Sequence, residues 1–426
     1  MYKKNLWMFA VIGILSVILL SGVILYSFRL QEHKDRLDQG AEDISPAATS
    51  TAEEEELNGI SVQDELASID DKDDLKQGAD SSLPGILSPT PTSIITPTVS
   101  PTPIVEDPIV LAFAGDINLD EDSKPVARYD SQGQGILGCI APELIEEMTA
   151  ADIMMLNNEF AYSLRGTEEQ NKSYTFRAAP ERVGILKEMG VDIVSLANNH
   201  ALDFGMEALM DTFTTLENAE IDYVGAGDNL SRAKAPVYYT IGNTKIAYVA
   251  ASRVVFAMDW YASETSPGMI GTYDPTLLLE VIREASAQSD FVVVYVHWGV
   301  ERTNYPTDYQ KKLARQYIDA GADAVIGCHP HVLQGLEYYK GKPIAYSLGN
   351  YWFNNTTRDA GLLKIILPPE GGMKVQLLPT LGKNTYTSLI TDSDQREAYF
   401  RFMEEISFGV AFDDEGYVTA LDPEAD

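Results

Sequence analysis

The sequence predicts an α/β fold built on a largely buried sheet, preceded by one membrane-spanning helix and a disordered linker. From Ile109 onward, short apolar runs alternate with amphipathic segments, which is the pattern of βα units. An uncharged apolar segment lies near the N-terminus, and an acidic, Pro/Thr-rich segment follows it. We therefore predict an anchor over 1–37, a linker over 38–108, a main domain over 109–366, and a C-terminal hairpin, helix and acidic tail over 367–426.

The apolar segment from Asn5 to Phe28 contains 24 residues and no charge, which is long enough to cross the hydrocarbon core of a bilayer with some tilt. A cleaved signal peptide is the alternative, but this run exceeds the usual apolar length of about 7 to 15 residues, and no A-x-A-like site follows it. Lysines and arginines flank the segment on both sides, so charge does not decide its orientation. We predict an uncleaved single-pass anchor in the cell membrane.

The linker has a composition that cannot bury a core. From Asp38 to Asp107 there are 16 acidic residues against two lysines, and the segment includes the run SPTPTSIITPTVSPTP. In extended polyproline II conformation, at about 3.1 Å per residue, the part from Ser88 to Pro108 would reach roughly 65 Å. A stalk of this kind predicts that the C-terminal domain is extracellular; a disordered cytoplasmic linker is the alternative.

Charge and cysteine content exclude some classes of function. The formal net charge is −33, of which about −22 falls after the linker, so nucleic acid is not expected as a partner. The two cysteines, Cys139 and Cys328, cannot make a disulfide framework, and the sequence does not predict whether they pair.

The domain after residue 108 contains alternating strand and helix candidates. The strand candidates are PIVLAFAGD, DIMMLNNEF, VDIVSLANNH, KIAYVAAS, FVVVYVHWG, DAVIGCHPH and KPIAYSLGN. The helix candidates include ERVGILKEMG, GMEALMDTFTTLENAE, PTLLLEVIREASAQS and TDYQKKLARQYIDAGA, which carry apolar residues at three- and four-residue spacing. Beyond them, LLKIILP and MKVQLLP predict an antiparallel hairpin, and SDQREAYFRFMEEIS predicts a helix.

Polar side chains follow six of these seven strand candidates at the point where the strand ends. The carboxyl ends of strands in an open α/β sheet are where ligands gather. The residues at these positions are Asp116, Glu159, Asn199, His200, His297, His329, His331 and Asn350. Imidazole, carboxylate and amide oxygen together suit Mn, Fe or Zn better than Ca or Mg. The spread of ligands predicts a divalent metal centre with two ions, whereas hydrogen-bonded core histidines are the alternative.

The stretch GCHPHVLQG holds two of the five histidines. His329 and His331 are two residues apart, so on an extended segment their side chains point the same way, and Pro330 favours extended backbone at the residue before it. We therefore expect both imidazoles to reach one centre.

Other residues near the predicted strand ends suggest roles in catalysis and substrate binding. In NNHALDFG, His200 is expected to face a leaving group, with Asp203 orienting its imidazole, although a turn with capping residues is the alternative. Glu301 and Arg302 in HWGVER are expected either to bind substrate or to pair with each other on the surface. The predicted substrate-binding set is Asn118, Glu301, Arg302 and Asn350.

Taken in order, the motifs AGD, NNEF, LANNHALDFG, VHWGVE, GCHPHVLQG and SLGN resemble those of the CapA or PgsA family, bacterial proteins of poly-γ-glutamate capsule biosynthesis. The resemblance covers residues 110 to about 355. It implies a four-layer αββα sandwich related to the calcineurin-like metallophosphoesterases, with a two-metal site. The ligands implied by this resemblance are Asp116, Glu159, Asn199, His297, His329 and His331, with His200 as the neighbouring acid.

The sequence departs from the phosphoesterase pattern at two places. The D-x-H motif is replaced by Asp116, Ile117 and Asn118, and the GDxxD motif is replaced by NNEF. One metal position has therefore lost a strong ligand, and a fold likeness is not a demonstration of chemistry.

Two main functional hypotheses follow. The first is a membrane-tethered, metal-dependent hydrolase or transferase that acts on an anionic polymer or its phosphorylated intermediate. The second is a non-catalytic factor that assists the membrane subunits of a capsule synthase, and a wall-anchored domain with another ligand is a further alternative. In all three cases the N-terminal helix makes the membrane a partner.

Overall fold

The computed structural model describes residues 107–421. The predicted membrane segment 5–28 and the predicted linker, apart from its last two residues, lie outside this range. Within 107–421, no helix has both the length and the apolar character needed to cross a bilayer.

The strands begin and end close to the apolar runs of the sequence. In chain order they are β1 Ile109–Ile117, β2 Ile153–Asn158, β3 Ala161–Tyr162, β4 Arg177–Ala178, β5 Ile193–Ser195, β6 Asp222–Val224, β7 Ala226–Gly227, β8 Val237–Ile241, β9 Thr244–Ser252, β10 Gly268–Met269, β11 Phe291–His297, β12 Ala324–Cys328, β13 Leu333–Tyr339, β14 Lys342–Leu348, β15 Asn350–Trp352, β16 Arg358–Leu367, β17 Lys374–Lys383, β18 Tyr386–Leu389, β19 Val410–Phe412 and β20 Tyr417–Ala420. Each of the seven predicted strands overlaps one of these strands over most of its length, so those predictions are confirmed.

The α-helices, in chain order, are α1 Lys124–Gln132, α2 Pro142–Thr149, α3 Val183–Glu188, α4 Gly205–Asn218, α5 Leu230–Ala233, α6 Thr276–Ser286, α7 Asp308–Asp319 and α8 Ser393–Ile406. Short 3₁₀ helices occupy Gly135–Gly138, Pro180–Arg182 and Met258–Trp260. Local chemistry explains some of the boundaries: α7 starts at a capping box, in which Thr307 and Gln310 each satisfy a backbone N–H of the other. The predicted C-terminal hairpin and helix are confirmed as β16, β17 and α8.

The strands form two large sheets within the described residues. The ten-stranded sheet has the order β19-β20-β17-β16-β1-β2-β5-β6, with β15 paired to β1 and β18 paired to β17. The six-stranded sheet has the order β13-β14-β12-β11-β9-β8. In the first sheet, β1 is parallel to β2 and antiparallel to β16, so strands from beyond residue 367 extend the same sheet that β1 begins.

The two sheets pack against each other. The Tyr295 hydroxyl in β11 donates a hydrogen bond of 2.7 Å to the carbonyl oxygen of Ala114 in β1, and the rings of Phe113 and Tyr248 lie 6.4 Å apart. Side chains alternate along β11, so that Val293 and Tyr295 belong to the core shared with the first sheet. Burying an aliphatic side chain such as that of Val293 stabilises the fold by about 1.5–3 kcal/mol.

Helices cover these sheets. The core on the other side of β11 combines Val292, Val294 and Val296 with buried side chains of α6 and α7, while α2, α3 and α4 contribute to the core of the first sheet. The described residues therefore form a layered α/β arrangement with two packed sheets, as the resemblance implied. The parallel strands β1, β2, β11 and β12 end at one edge of this arrangement, which positions the candidate site.

Candidate metal centre

Glu159 lies at the centre of a group of histidines. It follows β2 directly, and its side chain is fully buried. Its Oε1 atom is 3.7 Å from Nε2 of His297, 3.9 Å from Nε2 of His331 and 3.9 Å from Nε2 of His200. Three imidazoles from different loops and strands therefore surround one carboxylate oxygen.

Asp116 lies beside this group and is also fully buried. Its Oδ2 atom is 3.3 Å from Nδ1 of His331 and accepts a hydrogen bond of 3.2 Å from the backbone N–H of His329. Its Oδ1 atom accepts a bond of 2.8 Å from the side-chain amide of Asn157. The end of β1 is thus joined to the loop that follows β12.

His297 and Asn199 complete the set. Nε2 of His297 is 2.7 Å from Oδ1 of Asn199, and Nδ1 of the same ring is 3.2 Å from Sγ of Cys328. Two ligand groups result, in each of which the donor atoms lie within 4.8 Å of one another. They are Glu159, His329 and His331 for the first group, and Asp116, His297 and Cys328 for the second.

The donor atoms fit a divalent cation because two of them are buried without a partner. Oε1 of Glu159 and Nδ1 of His329 have no hydrogen-bond partner among the described residues. Leaving a buried polar group unpaired costs free energy, and a cation bound to both atoms would remove that cost. Every predicted metal ligand is close to this cluster: Asp116, Glu159, Asn199, His297, His329 and His331.

The imidazoles are electrostatically prepared to act as ligands. Burial lowers the pKa of His297 well below its usual value, and the neighbouring His329 and His331 add to the effect. Burial, together with His331, lowers the pKa of His329 to about 3. Both rings are therefore neutral near pH 7, and a neutral imidazole has the lone pair that a metal needs.

The two carboxyl groups differ in their ionisation. Burial, reinforced by the charge of Asp116, raises the pKa of Glu159 well above its usual value. Burial would also raise the pKa of Asp116, but the hydrogen bond and charge of His331 outweigh it and lower that pKa. Asp116 and His331 thus behave as an ion pair, while burial and the charge of Asp116 disfavour the ionised form of Glu159.

His200 and Asp203 form a hydrogen-bonded pair next to the ligands. Nδ1 of His200 is 2.6 Å from Oδ2 of Asp203, and the same carboxylate oxygen accepts a bond of 2.7 Å from the backbone N–H of Phe176. The Phe176 ring stacks on the His200 ring with centroids 4.2 Å apart. Burial lowers the pKa of His200 despite the opposing effect of Asp203, so the ring is neutral and its Nδ1–H donates a hydrogen bond to the carboxylate.

The four predicted substrate-binding residues have different surroundings. Oδ1 of Asn118 accepts a hydrogen bond of 2.8 Å from the backbone N–H of Asp120, and Oδ1 of Asn350 lies 2.8 Å from Nδ1 of His331. Glu301 and Arg302 are exposed on the loop after β11. The backbone N–H of Arg302 donates to the carbonyl oxygen of Pro330, so this loop adjoins the histidine loop.

One expectation about the histidine loop is wrong. His329 and His331 do not lie on an extended segment: their φ angles are 98° and 57°. The loop turns immediately after β12, and positive φ at a residue other than glycine is uncommon. The two rings still face one region, with centroids 5.8 Å apart, because the turn is held from both sides by Asp116 and Asn350.

Sequence reasoning missed several residues of the centre. Asn157 donates to both carboxylates, at 2.8 Å to Asp116 and 3.3 Å to Glu159, and Asn198 in turn donates to Asn157 at 3.0 Å. Lys172 enters from a distant loop and contacts the His200–Asp203 pair. The repeated Asn-Asn pairs NNEF and NNH were a usable signal for the two asparagines, but no local pattern marked Lys172.

Cys139 and Cys328 are both free and buried.

A family model and the most similar curated proteins found all point to one family. Residues 110–355 match a family model described as "Bacterial capsule synthesis protein PGA_cap". The chain is 33% identical over 278 residues to the PGA biosynthesis protein CapA of Bacillus subtilis, covering 64% of this chain and 72% of that protein. It is also 33% identical over 250 residues to the capsule biosynthesis protein CapA of Bacillus anthracis, covering 57% of this chain and 60% of that one.

Two solved structures are similar to parts of the chain. The NAD nucleotidase of Haemophilus influenzae aligns over 71% of this chain and 63% of its own, with 11% identity and a TM-score of 0.41. The sulfate thiohydrolase SoxB of Thermus thermophilus aligns over 64% of this chain and 56% of its own, with 12% identity and a TM-score of 0.37.

Proposed function

The chain belongs to the bacterial capsule synthesis protein family PGA_cap, and from this premise we propose that it takes part in poly-γ-glutamate capsule biosynthesis as a metal-dependent hydrolase or transferase. The observation that carries the catalytic part of the proposal is the buried Oε1 of Glu159, which has no hydrogen-bond partner and is surrounded by three imidazole nitrogens. An acid–base pair, His200 and Asp203, lies at the same place.

We propose that the centre holds two divalent ions of Mn, Fe or Zn, because its donors mix nitrogen with oxygen. Glu159 would be able to hold either ion, since its Oε1 is 3.7 Å from Nε2 of His297 in one ligand group and 3.9 Å from Nε2 of His331 in the other. When bound, such ions polarise an anionic oxygen of the substrate and lower the pKa of a water molecule.

His200 and Asp203 would carry out the proton transfer of the proposed reaction. His200 is neutral and its Nδ1–H donates a hydrogen bond to Asp203, so the lone pair on Nε2 faces the centre. Nε2 would take a proton from the attacking water molecule and pass it to the leaving group, while the carboxylate of Asp203 would stabilise the imidazolium that forms. Asp203 also fixes which nitrogen of the ring is presented to the substrate.

The proposed substrate is an anionic polymer or a phosphorylated intermediate of its synthesis. The negative charge of the domain opposes binding of such a ligand at long range. We propose that the bound cations and the exposed Arg302 offset this repulsion near the centre, and that Glu301, Asn118 and Asn350 line the approach.

We propose that the chain is anchored in the cell membrane with its C-terminal domain outside the cell. The predicted helix over 5–28 would anchor the chain in the cell membrane, and the predicted linker would hold the domain outside the cell. The proposed partners there are the membrane subunits of a capsule synthase. Protease digestion of intact cells tests this part, since only an external domain would be degraded.

A second candidate function is a non-catalytic assembly or export factor that uses the metal for stability or polymer binding. The hydrogen bonding of Asn118 favours it: the side-chain oxygen accepts a hydrogen bond of 2.8 Å from the backbone N–H of Asp120. An amide oxygen engaged in this way would be a weaker ligand than the histidine that D-x-H supplies in phosphoesterases, which would weaken one of the two metal positions.

The test uses the full-length chain in detergent. Bound metal is measured first, followed by hydrolysis of p-nitrophenyl phosphate and of poly-γ-glutamate. We expect His297→Ala to lose metal and turnover together, and His200→Ala to keep metal while turnover falls by about 10²–10⁴-fold, which is the usual contribution of a general acid or base. The matched control is His33→Ala, since His33 is the one histidine outside the predicted centre.

The outcomes separate the two candidates. If the wild-type chain retains metal but turns over neither substrate, the catalytic proposal is wrong and the assembly role is favoured. If His297→Ala keeps its full metal content, the centre itself is wrongly assigned.

A further inference from the structure

Lys172 has a buried side chain, which is unusual for lysine. Its side chain is only 9% exposed. The ammonium group contacts the Asp203 carboxylate and the backbone carbonyl oxygen of Asn199, and it lies 3.0 Å from Nδ1 of His200. It also lies 5.2 Å from the centroid of the Trp260 ring. All of its polar contacts are thus with the segment that carries Asn199, His200 and Asp203.

Lys172 belongs to the connection between β3 and β4, which is docked on the same segment by other contacts. The backbone N–H of Glu169 donates to the carbonyl oxygen of Asp203 at 2.7 Å, and the backbone N–H of Phe176 donates to Oδ2 of Asp203 at 2.7 Å. The Phe176 ring also stacks on His200. The connection 163–176 therefore covers the His200–Asp203 pair and holds it in place.

Asp203 needs this contact because its side chain is fully buried. Its Oδ2 atom is occupied by His200 and Phe176, so Oδ1 depends on Lys172. A buried carboxylate that loses its cationic partner must take up water, move or change rotamer. Because Nδ1–H of His200 donates a hydrogen bond to the same carboxylate, movement of Asp203 would also release the imidazole.

We propose that Lys172 is a positioning residue of the metal centre. Its ammonium fixes Asp203 and the backbone of Asn199 together, so that Nε2 of His200 and Oδ1 of Asn199 both face the ligand group. This inference rests on the proposed function for its role in the reaction, but the geometry that it describes exists without metal.

The test compares Lys172→Met and Lys172→Arg with the wild-type full-length chain. The matched control is Lys364→Met, because Lys364 is also largely buried, with 16% exposure, and pairs with Glu147 outside the centre. The first readout is the Nδ1–H signal of His200 in ¹⁵N NMR of the metal-free protein. The second is the affinity for Mn²⁺, measured by titration calorimetry.

We expect the Met variant to lose the slowly exchanging Nδ1–H signal and to bind Mn²⁺ about 10–100-fold more weakly, as is usual when a residue that orients metal ligands is removed. The Arg variant should recover the signal, because it restores the positive charge, and the Lys364→Met control should match the wild type in both readouts. If the Met variant does not fold, Lys172→Gln, which keeps a hydrogen-bond donor of shorter reach, takes its place in the comparison.

A folded Met or Gln variant with an unchanged His200 signal would overturn the proposal. Failure of the proposed function looks different: the wild-type chain would bind no Mn²⁺ or show no turnover, while the NMR comparison would still decide the role of Lys172.

Discussion

Glu159 shows how a single side chain can determine the behaviour of a buried centre. Full burial and the charge of the nearby Asp116 raise the pKa of Glu159 well above its usual value, which favours its protonated form. The rings of His297 and His200 beside its Oε1 are neutral, and the charge of His331 is paired with Asp116, so none of the three offers an unshared positive charge to the Glu159 carboxylate. A divalent cation is the partner that changes this balance, and its binding must therefore be linked to loss of a proton.

We expect the affinity for Mn²⁺ to increase with pH. The pKa of Glu159 is raised, so the protonated form competes with the metal below that pKa and the competition disappears above it. The pKa of His331 is also raised, since its bond to Asp116 outweighs burial, and it acts in the same direction. Calorimetry in buffers of different ionisation enthalpy measures the protons released on binding.

The control for this prediction is Glu159→Gln, which keeps the shape of the side chain and removes its titration. It should bind Mn²⁺ more weakly and release fewer protons than the wild type. An affinity that stays constant as the pH is lowered would contradict the raised pKa of Glu159.

The sequence predicted the residues that end strands and missed those that arrive from elsewhere. Asp116, Glu159 and His297 could be found because each ends or follows an apolar strand, so their position at the sheet edge is set by local pattern. Lys172 could not, because it reaches Asp203 across 31 residues of chain and its loop has no periodic pattern. Contacts of this kind depend on the packing of the whole domain.

At the scale of elements, the centre depends on how closely β1 approaches the turn after β14. The backbone N–H of Asp116 donates to the carbonyl oxygen of Gly349 at 3.0 Å, and a Cβ atom at Gly115 would lie 1.9 Å from that same oxygen. Oδ1 of Asn350, the first residue of β15, lies 2.8 Å from Nδ1 of His331. Gly115 is therefore required for the spacing of two ligand-bearing segments.

We expect Gly115→Ala to destabilise the fold and to weaken Mn²⁺ binding. The added methyl group must push the Gly349 turn away from β1, and overpacking of this kind costs about 1–3 kcal/mol or more. Gly372→Ala is the matched control, since no atom lies within 4 Å of the added carbon there. Thermal unfolding and calorimetry measure the two effects, and a Gly115→Ala variant as stable as the control would contradict this account.

The elements themselves were mostly predictable, and the histidine turn was not. Continuous apolar runs identified β9, β11 and β12 because strands buried on both faces need apolar side chains in both directions. The division of strands between two sheets follows from pairing over long distances, which these runs do not encode. The positive φ angles of His329 and His331 depend on partners outside the turn, so the local Pro330 signal pointed to the wrong backbone conformation.

At the scale of the whole molecule, net charge opposes the proposed substrate. The chain carries −33 in total, of which about −22 follows the linker, and a polyanion such as poly-γ-glutamate is repelled by such a surface. The bound cations and Arg302 are local charges, so their attraction is felt only near the centre. The repulsion comes from the whole domain and is felt at longer distances. Long-range repulsion and short-range attraction should therefore respond differently to salt.

We expect the full-length chain, saturated with Mn²⁺, to associate faster with poly-γ-glutamate as NaCl is raised from about 20 mM to about 150 mM. Over this range the screening length falls from roughly 20 Å to about 8 Å, so repulsion by the whole domain is reduced more than attraction at the centre. Stopped-flow fluorescence measures the association rate, and a neutral polyglutamine peptide is the control, whose rate should not depend on salt. A rate that decreases with salt would show that a local positive surface dominates the encounter, which the charge distribution of this sequence does not predict.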